Sequence, residues 1–314
     1  MKNARDTRGQ ATVITVIFLT VLCGMVALVL DVGSWYRADR ALQSEADAAA
    51  LAGAQALPES PADAQALAIQ YADKNGGGLD ASGISFSSKI NPNDTIKVSL
   101  KKPAEGFFSK LFGLDSVAVA AHAAARAAPA LDVQYVAPIV VNVNHPMLAA
   151  PTCNPKPCQD PTQIDLADLH KPGSGDAAGS FGLINLDPTD FSSVGSGDLG
   201  NWIDKGYDGM LSAGNYYAVP STKWNSDAVR SAMTDVITKG KILIFPIYDK
   251  ITGPGDNAVY HIVGWVGFVV TGWDINGSKS AIYGHFTGGI VQGIQAKKGS
   301  TVPDYGLRTI RLVD

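Results

Sequence analysis

At 314 residues the chain has room for a membrane anchor plus two modest domains or one larger one. An apolar content of 46% excludes a largely disordered chain. A formal net charge of −4 leaves no polybasic footprint, so nucleic acid is not an expected partner.

The first predicted element is a long continuous helix over 11–57. Its first half, ATVITVIFLTVLCGMVALVL (11–30), carries no charge, and a hydrocarbon core of about 30 Å takes roughly 20 such residues at about 1.5 Å each. These residues are expected to contact membrane lipid. Lys2, Arg5 and Arg8 outweigh Asp6 in the preceding tail (1–10), whereas Asp31 comes before Arg37 and Arg40 on the far side. The positive-inside rule therefore predicts a single-pass protein of the cell membrane, with a cytoplasmic N-terminus and extracytoplasmic C-terminal domains. No small-x-small cleavage site follows the span, since Asp31-Val32-Gly33 is a poor one, and helix-friendly sequence continues beyond it. A retained signal anchor is expected rather than a cleaved leader.

The second half of the helix has a face of its own. Leu42, Ala46, Ala49, Gly53 and Ala56 recur at spacings of four and three, which places them on one helical side. Small residues there admit another backbone at close range. Two occupants fit: helices of other chains, or the chain's own following domain.

Arg8-Gly9-Gln10, the apolar span, Asp31-Val32-Gly33, Tyr36, Leu42-Gln43 and the run Asp47-Ala48-Ala49-Ala50-Leu51-Ala52-Gly53-Ala54 together resemble the N-terminal segment of Flp/Tad pilus-assembly proteins of the TadE/TadG type. The resemblance covers about residues 8–57. It implies a non-enzymatic, membrane-anchored component of a pilus-assembly or secretion apparatus, with other pilus or secretion components as partners. Two departures from the family pattern stand out. Cleaved prepilin-like members carry glutamate five residues after the processed glycine, where this chain has Ile14 after Gly9. Larger TadG-like members carry a von Willebrand A domain with a D-x-S-x-S metal motif, and residues 190–194 (DFSSV) stop short of it.

After the break at Pro58 and Pro61, residues 58–128 predict a small α+β module. A helix over 62–74 ends at Gly76-Gly77-Gly78, strands follow over 83–90 and 95–101, a short apolar helix or turn over 107–112, and a third strand over 116–128. Residues 129–314 predict a β-rich extracytoplasmic domain. Strands are expected over 133–143, 181–186, 241–248, 259–274, 280–293 and 307–313, helices over 196–207 and 227–238, and a loop-like stretch over 145–182. Glycines within the late strands (Gly264, Gly267, Gly284 and Gly288 among them) predict bulges and tight bends. The expected fold class is thus α+β: a long N-terminal transmembrane helix, a small α+β module, then a mainly antiparallel β domain with peripheral helices. The phrases F-P-I-Y-D (245–249) and V-Y-H-I-V-G-W-V-G-F (259–268) also look like those in the outer domains of some TadG-like proteins.

Chemistry is thinly represented. Cys153 and Cys158 in C-N-P-K-P-C lack the further Cys or His ligands of a metal site and are read as a disulfide, in keeping with an oxidising compartment. Cys23 lies in the span as a small packing residue, and His122 is read as structural. The remaining histidines, His145, His170, His261 and His285, make no metal-binding spacing, and neither a nucleophile elbow nor a phosphate loop occurs. Asp249, Asp256 and Asn257 share a loop with oxygen ligands that would suit calcium. His261 or His285 with Asp249 or Asp256 would be the raw material of a hydrolase triad. Two GSGD segments, 173–176 and 195–198, offer backbone amides to an anion. Each has an ordinary loop reading beside it, and no enzyme activity, cofactor or small-molecule substrate is expected. The alternatives to a pilus component are a membrane-tethered adhesion module and an anchored hydrolase.

Overall fold

The computed structural model describes residues 8–149, 153, 157–165, 180–187, 194–253, 257–274, 281–296 and 303–313. The tail 1–7, the first GSGD segment (173–176), His170, residues 190–193 and Asp256 lie outside them. The chain is α+β and divides into two compact units, one of residues 1–88, 93–126 and 311–314, the other of 89–92 and 127–310.

The first unit is built on α1 (Arg8–Ala54), 47 residues without an internal break. It ends three residues before the predicted 57, because residues 55–59 turn ahead of α2. Helix α2 (Pro61–Asn75) starts with Pro61, whose missing N–H costs nothing in the first turn, and with the Ser60 hydroxyl accepting from Asp63 N at 3.2 Å. It ends at Gly76, whose φ of 144° glycine tolerates. Its alanines at 64, 68 and 72 are fully buried on the side that packs against α1.

Strands β1 (Ile84–Ser87), β2 (Thr95–Glu105) and the start of β3 (Ser116–Val133) form an antiparallel meander, with Phe86 opposite Ile96 and Leu100 opposite Ala121. Alternation along β2 buries Ile96, Val98 and Leu100, and this strand packs on α1. The prolonged third strand is a finding. It was expected to stop at 128, yet it passes through Pro129, whose carbonyl still accepts from Ala296 N at 2.9 Å.

The second unit holds β4 (Val141–Asn142), α3 (Pro146–Ala149), β5 (Thr162–Asp165), β6 (Ser180–Ile184), α4 (Ser196–Lys205), β7 (Leu211–Ser212), β8 (Gly214–Pro220), α5 (Asp227–Lys239), β9 (Ile242–Thr252), β10 (Val259–Asp274), β11 (Ala281–Thr287), β12 (Gly289–Ile290), β13 (Gly293–Gln295) and the start of β14 (Leu307–Val313). Its main sheet runs β4-β9-β10-β11-β5, with β8 on the first part of β10 and β6 beside β8. All these pairs are antiparallel except β4 with β9.

The β9–β10 pair is buried on both faces. Phe245, Ile247, Val266 and Phe268 enter one core with α4 and α5, while Tyr248, Tyr260, Ile262 and Trp265 enter another. This double burial explains why both strands read as nearly unbroken apolar runs. Phe268 stacks on Phe245 at 5.2 Å and meets Phe286 edge-on at 4.9 Å. Two kinds of glycine are present in these strands. Gly264 and Gly272 sit at irregularities of register, whereas Gly284 permits close approach, since a Cβ there would fall 2.0 Å from Val269 O.

Other expectations also need correction. The run 133–143 is not one strand: Tyr135 adopts φ 62°, Pro138 follows, and the segment makes single bridges at Val136 and Ile139 before β4. The stretch 145–182 holds α3 and β5 as well as loop. Helix α4 starts at Ser196 as expected but stops at Lys205, short of 207, where Gly206 N–H closes on Trp202 O.

The close approach of α1 to α2 and β2 at Gly53 predicts the cost of enlarging that residue. Gly53→Val is expected to lower stability by about 1–3 kcal/mol through overpacking, because its Cβ would lie 2.8 Å from Ala64 O and 2.6 Å from Ile96 Cδ1. Denaturant unfolding of the detergent-solubilised full chain would measure the difference.

Candidate functional site

Helix α1 carries the candidate site, and its two halves differ in what surrounds them. The large apolar side chains between Val13 and Leu30 are exposed, over a segment whose mean hydropathy reaches 2.9. At about 1.5 Å per residue this segment is long enough to cross a bilayer. Exposed apolar surface on that scale is unfavourable in water and favourable in lipid.

Beyond Leu30 the helix is clasped by its own unit. Asp31 is buried, and its carboxylate accepts from the backbone N–H groups of Phe107 (2.7 Å), Phe108 (3.1 Å) and Ser109 (2.6 Å). These donors open a 3-10 turn over Ser109–Phe112, where a carboxylate is favoured by unsatisfied N–H groups. Gln43 donates through Nε2 to Asp47 at 2.9 Å and to His122 O at 3.0 Å. Glu45, also buried, binds Lys102 at 2.7 Å. Gly76 makes room for it: a Cβ there would lie 2.8 Å from Glu45 Oε2.

The small-residue stripe faces inward. Leu42, Ala46, Ala49 and Gly53 are buried and Ala56 is half-buried. Gly53 abuts Ala64, Ala68 and Ile96, so of the two occupants considered for this face, the chain's own α2 and β2 hold it. The sequence signal for the Asp31 nest was only an acidic residue at the end of an apolar run. Nothing in the spacing revealed that its partners lie 76–78 residues away.

Elsewhere the candidate residues are scattered. Cys153 and Cys158 lie with Cα atoms 5.2 Å apart, within disulfide reach. Cys23 is exposed on the apolar half of α1. His122 Nδ1 sits 2.9 Å from Ser99 Oγ on an exposed strand position. His261 and Asp249 do meet, Nδ1 to Oδ1 at 2.7 Å, but both are exposed and no described serine completes a triad. That contact also engages the Asp249 carboxylate proposed for calcium, and no cluster of three metal-ligating residues occurs among the described residues. In the second GSGD segment Asp198 occupies the first turn of α4, which opposes binding of another anion there.

His145 is half-buried against Phe286, their rings 5.0 Å apart. Its Nδ1 accepts from Met147 N at 3.2 Å, so Nε2 carries the proton and donates to Gln163 O at 3.0 Å. Burial pushes its pKa below the ordinary 6.5, despite that last hydrogen bond.

Residues 9–56 match the Tad family, described as "Putative Flp pilus-assembly TadE/G-like". The matched segment is α1 from Gly9 onward and the two residues after it, so it contains the apolar span, Asp31, Gln43, Glu45 and the small-residue stripe. No curated protein and no solved structure matches the chain. The match and the apolar helix together support a pilus-related membrane component.

Two outcomes are expected. Asp31→Asn removes the charge that gathers three backbone donors, so the amides of Phe107, Phe108 and Ser109 should lose protection from hydrogen exchange while those of β2 keep theirs. Because His145 titrates lower folded than unfolded, its contribution is fully present above pH 6.5 and is lost as pH falls through its depressed folded pKa. His145→Asn, which keeps an acceptor for Met147 N, should flatten that part of the pH–melting-temperature curve.

Proposed function

We propose that the protein is a non-enzymatic, single-span component of a Tad/Flp-type pilus-assembly or secretion apparatus. The observation that carries this reading is the coincidence of the family match with one helix that is lipid-compatible at its first half and built into a folded unit at its second.

In this reading residues 1–10 are cytoplasmic, 11–30 cross the cell membrane, and the small α+β module and β-rich domain are extracytoplasmic. The excess of Lys2, Arg5 and Arg8 supports that orientation. A Cys153–Cys158 disulfide would be stable on the same side. The helix is retained, and Ile14, where cleaved prepilin-like members carry glutamate, argues against processing after Gly9 and against polymerisation as a pilus subunit. With the Leu42–Ala56 stripe covered, contacts with other pilus or secretion components fall to the remaining surface of α1 and to the β-rich domain.

Deletion of the gene should abolish surface pili and apparatus-dependent export. The full-length gene should restore both, and a version whose 11–30 segment is made polar should restore neither. Normal pili and normal export in the deletion strain would remove this reading.

A further inference from the structure

Among the described residues outside α1, the connection between β2 and β3 gathers the most exposed large apolar side chains in one short stretch. Leu111 and Phe112 are 80% and 88% exposed, and Phe107, Phe108 and Leu114 are also exposed. Five large apolar side chains within 107–114 form a patch of the kind that marks a membrane or partner contact.

The patch is continuous with the apolar half of α1. Leu111, Phe112 and Leu114 line an apolar crevice of about 580 Å³ whose other wall is α1 from Cys23 to Trp35. Cys23 lies eight residues before Asp31, about 12 Å deeper along the helix axis at about 1.5 Å per residue. A bilayer that covers residues 11–30 therefore covers the hairpin tip as well.

The tip is also built for a medium without water, where backbone polar groups must be satisfied internally. Asp31 takes the N–H groups of Phe107, Phe108 and Ser109. Leu111 N, Gly113 N and Leu114 N donate to Phe108 O, Lys110 O and Ser109 O. The one charged side chain of 106–114, Lys110, turns back to Glu105 at 2.9 Å. Tyr36, exposed, follows Asp31 by about one turn, where an aromatic side chain marks a membrane interface.

We propose that residues 107–114 are a second membrane element, seated among the lipid acyl chains of the leaflet that surrounds the outer end of α1, with Asp31 holding tip and span together. This rests on the reading of α1 as a membrane span. The tip then fixes the depth and rotation of the helix, which a lone span leaves free.

The test places a polarity-sensitive fluorophore, one site at a time, on Leu111→Cys or Phe112→Cys in a full-length Cys23→Ser background. Ile17→Cys serves as the mid-span reference and Ala62→Cys as the aqueous one. Each protein is labelled without reductant and reconstituted in phosphatidylcholine vesicles, with and without lipids bearing a quencher on the acyl chain. Loss of emission at 17, 111 and 112, with none at 62, is the expected result. Quenching at 17 with 111 and 112 behaving like 62 would overturn the tip insertion and leave the span standing. Absence of quenching at 17 would overturn the span itself, and the proposal with it.

Discussion

A methyl group added at Gly53 would meet the Ala64 carbonyl oxygen at 2.8 Å, and much of the first unit follows from that closeness. Backbones approach at this range only where side chains are minimal, so Ala46, Ala49 and Gly53 on α1 and Ala64, Ala68 and Ala72 on α2 are all fully or nearly fully buried. The contact turns the post-membrane half of a long helix into one wall of a folded module. Glu45–Lys102 and Gln43–His122 then pin that wall to β2 and β3. A buried charge such as Glu45 is costly unless paired, which makes Lys102 part of the same arrangement.

The membrane end of this wall is organised by a second device. Asp31 stands at the end of an uncharged segment, where a carboxylate facing lipid would be expensive. It is instead buried and supplied with three backbone donors by the β2–β3 connection. One carboxylate therefore meets its own solvation need and orders a loop that is otherwise apolar and exposed. Family-matched positions that look like spacing in the sequence, Asp31 and Asp47 among them, turn out to be hydrogen-bonding nodes.

The second unit makes a different use of apolar residues. Its central strands serve two cores at once, and helices α4 and α5 cover one of them. Close glycines such as Gly284 give aromatic side chains their room. Among the described residues, His261 pairs with Asp249 on the surface.

Much was legible in the sequence because it is local. The apolar span, the alanine periodicity, the glycine caps and the long strands β9, β10 and β14 each depend on neighbours within a few residues, and the D-A-A-A-L-A-G-A run carried the family resemblance. What the sequence left open depends on contacts between distant segments. Periodicity marked Leu42 to Ala56 as a packing face, yet an α2 or β2 from the same chain and a helix from another present the same small-residue requirement. Only the fold showed that the chain covers this face itself. The run 133–143 reads as a strand by composition, but a left-handed Tyr135 and Pro138 reduce it to bridges. Asp31 by itself determined where the apolar span ends. Its three N–H partners, supplied by a hairpin more than seventy residues away, were decided by tertiary structure, because hydrogen-bond satisfaction at a buried carboxylate is a property of what surrounds it.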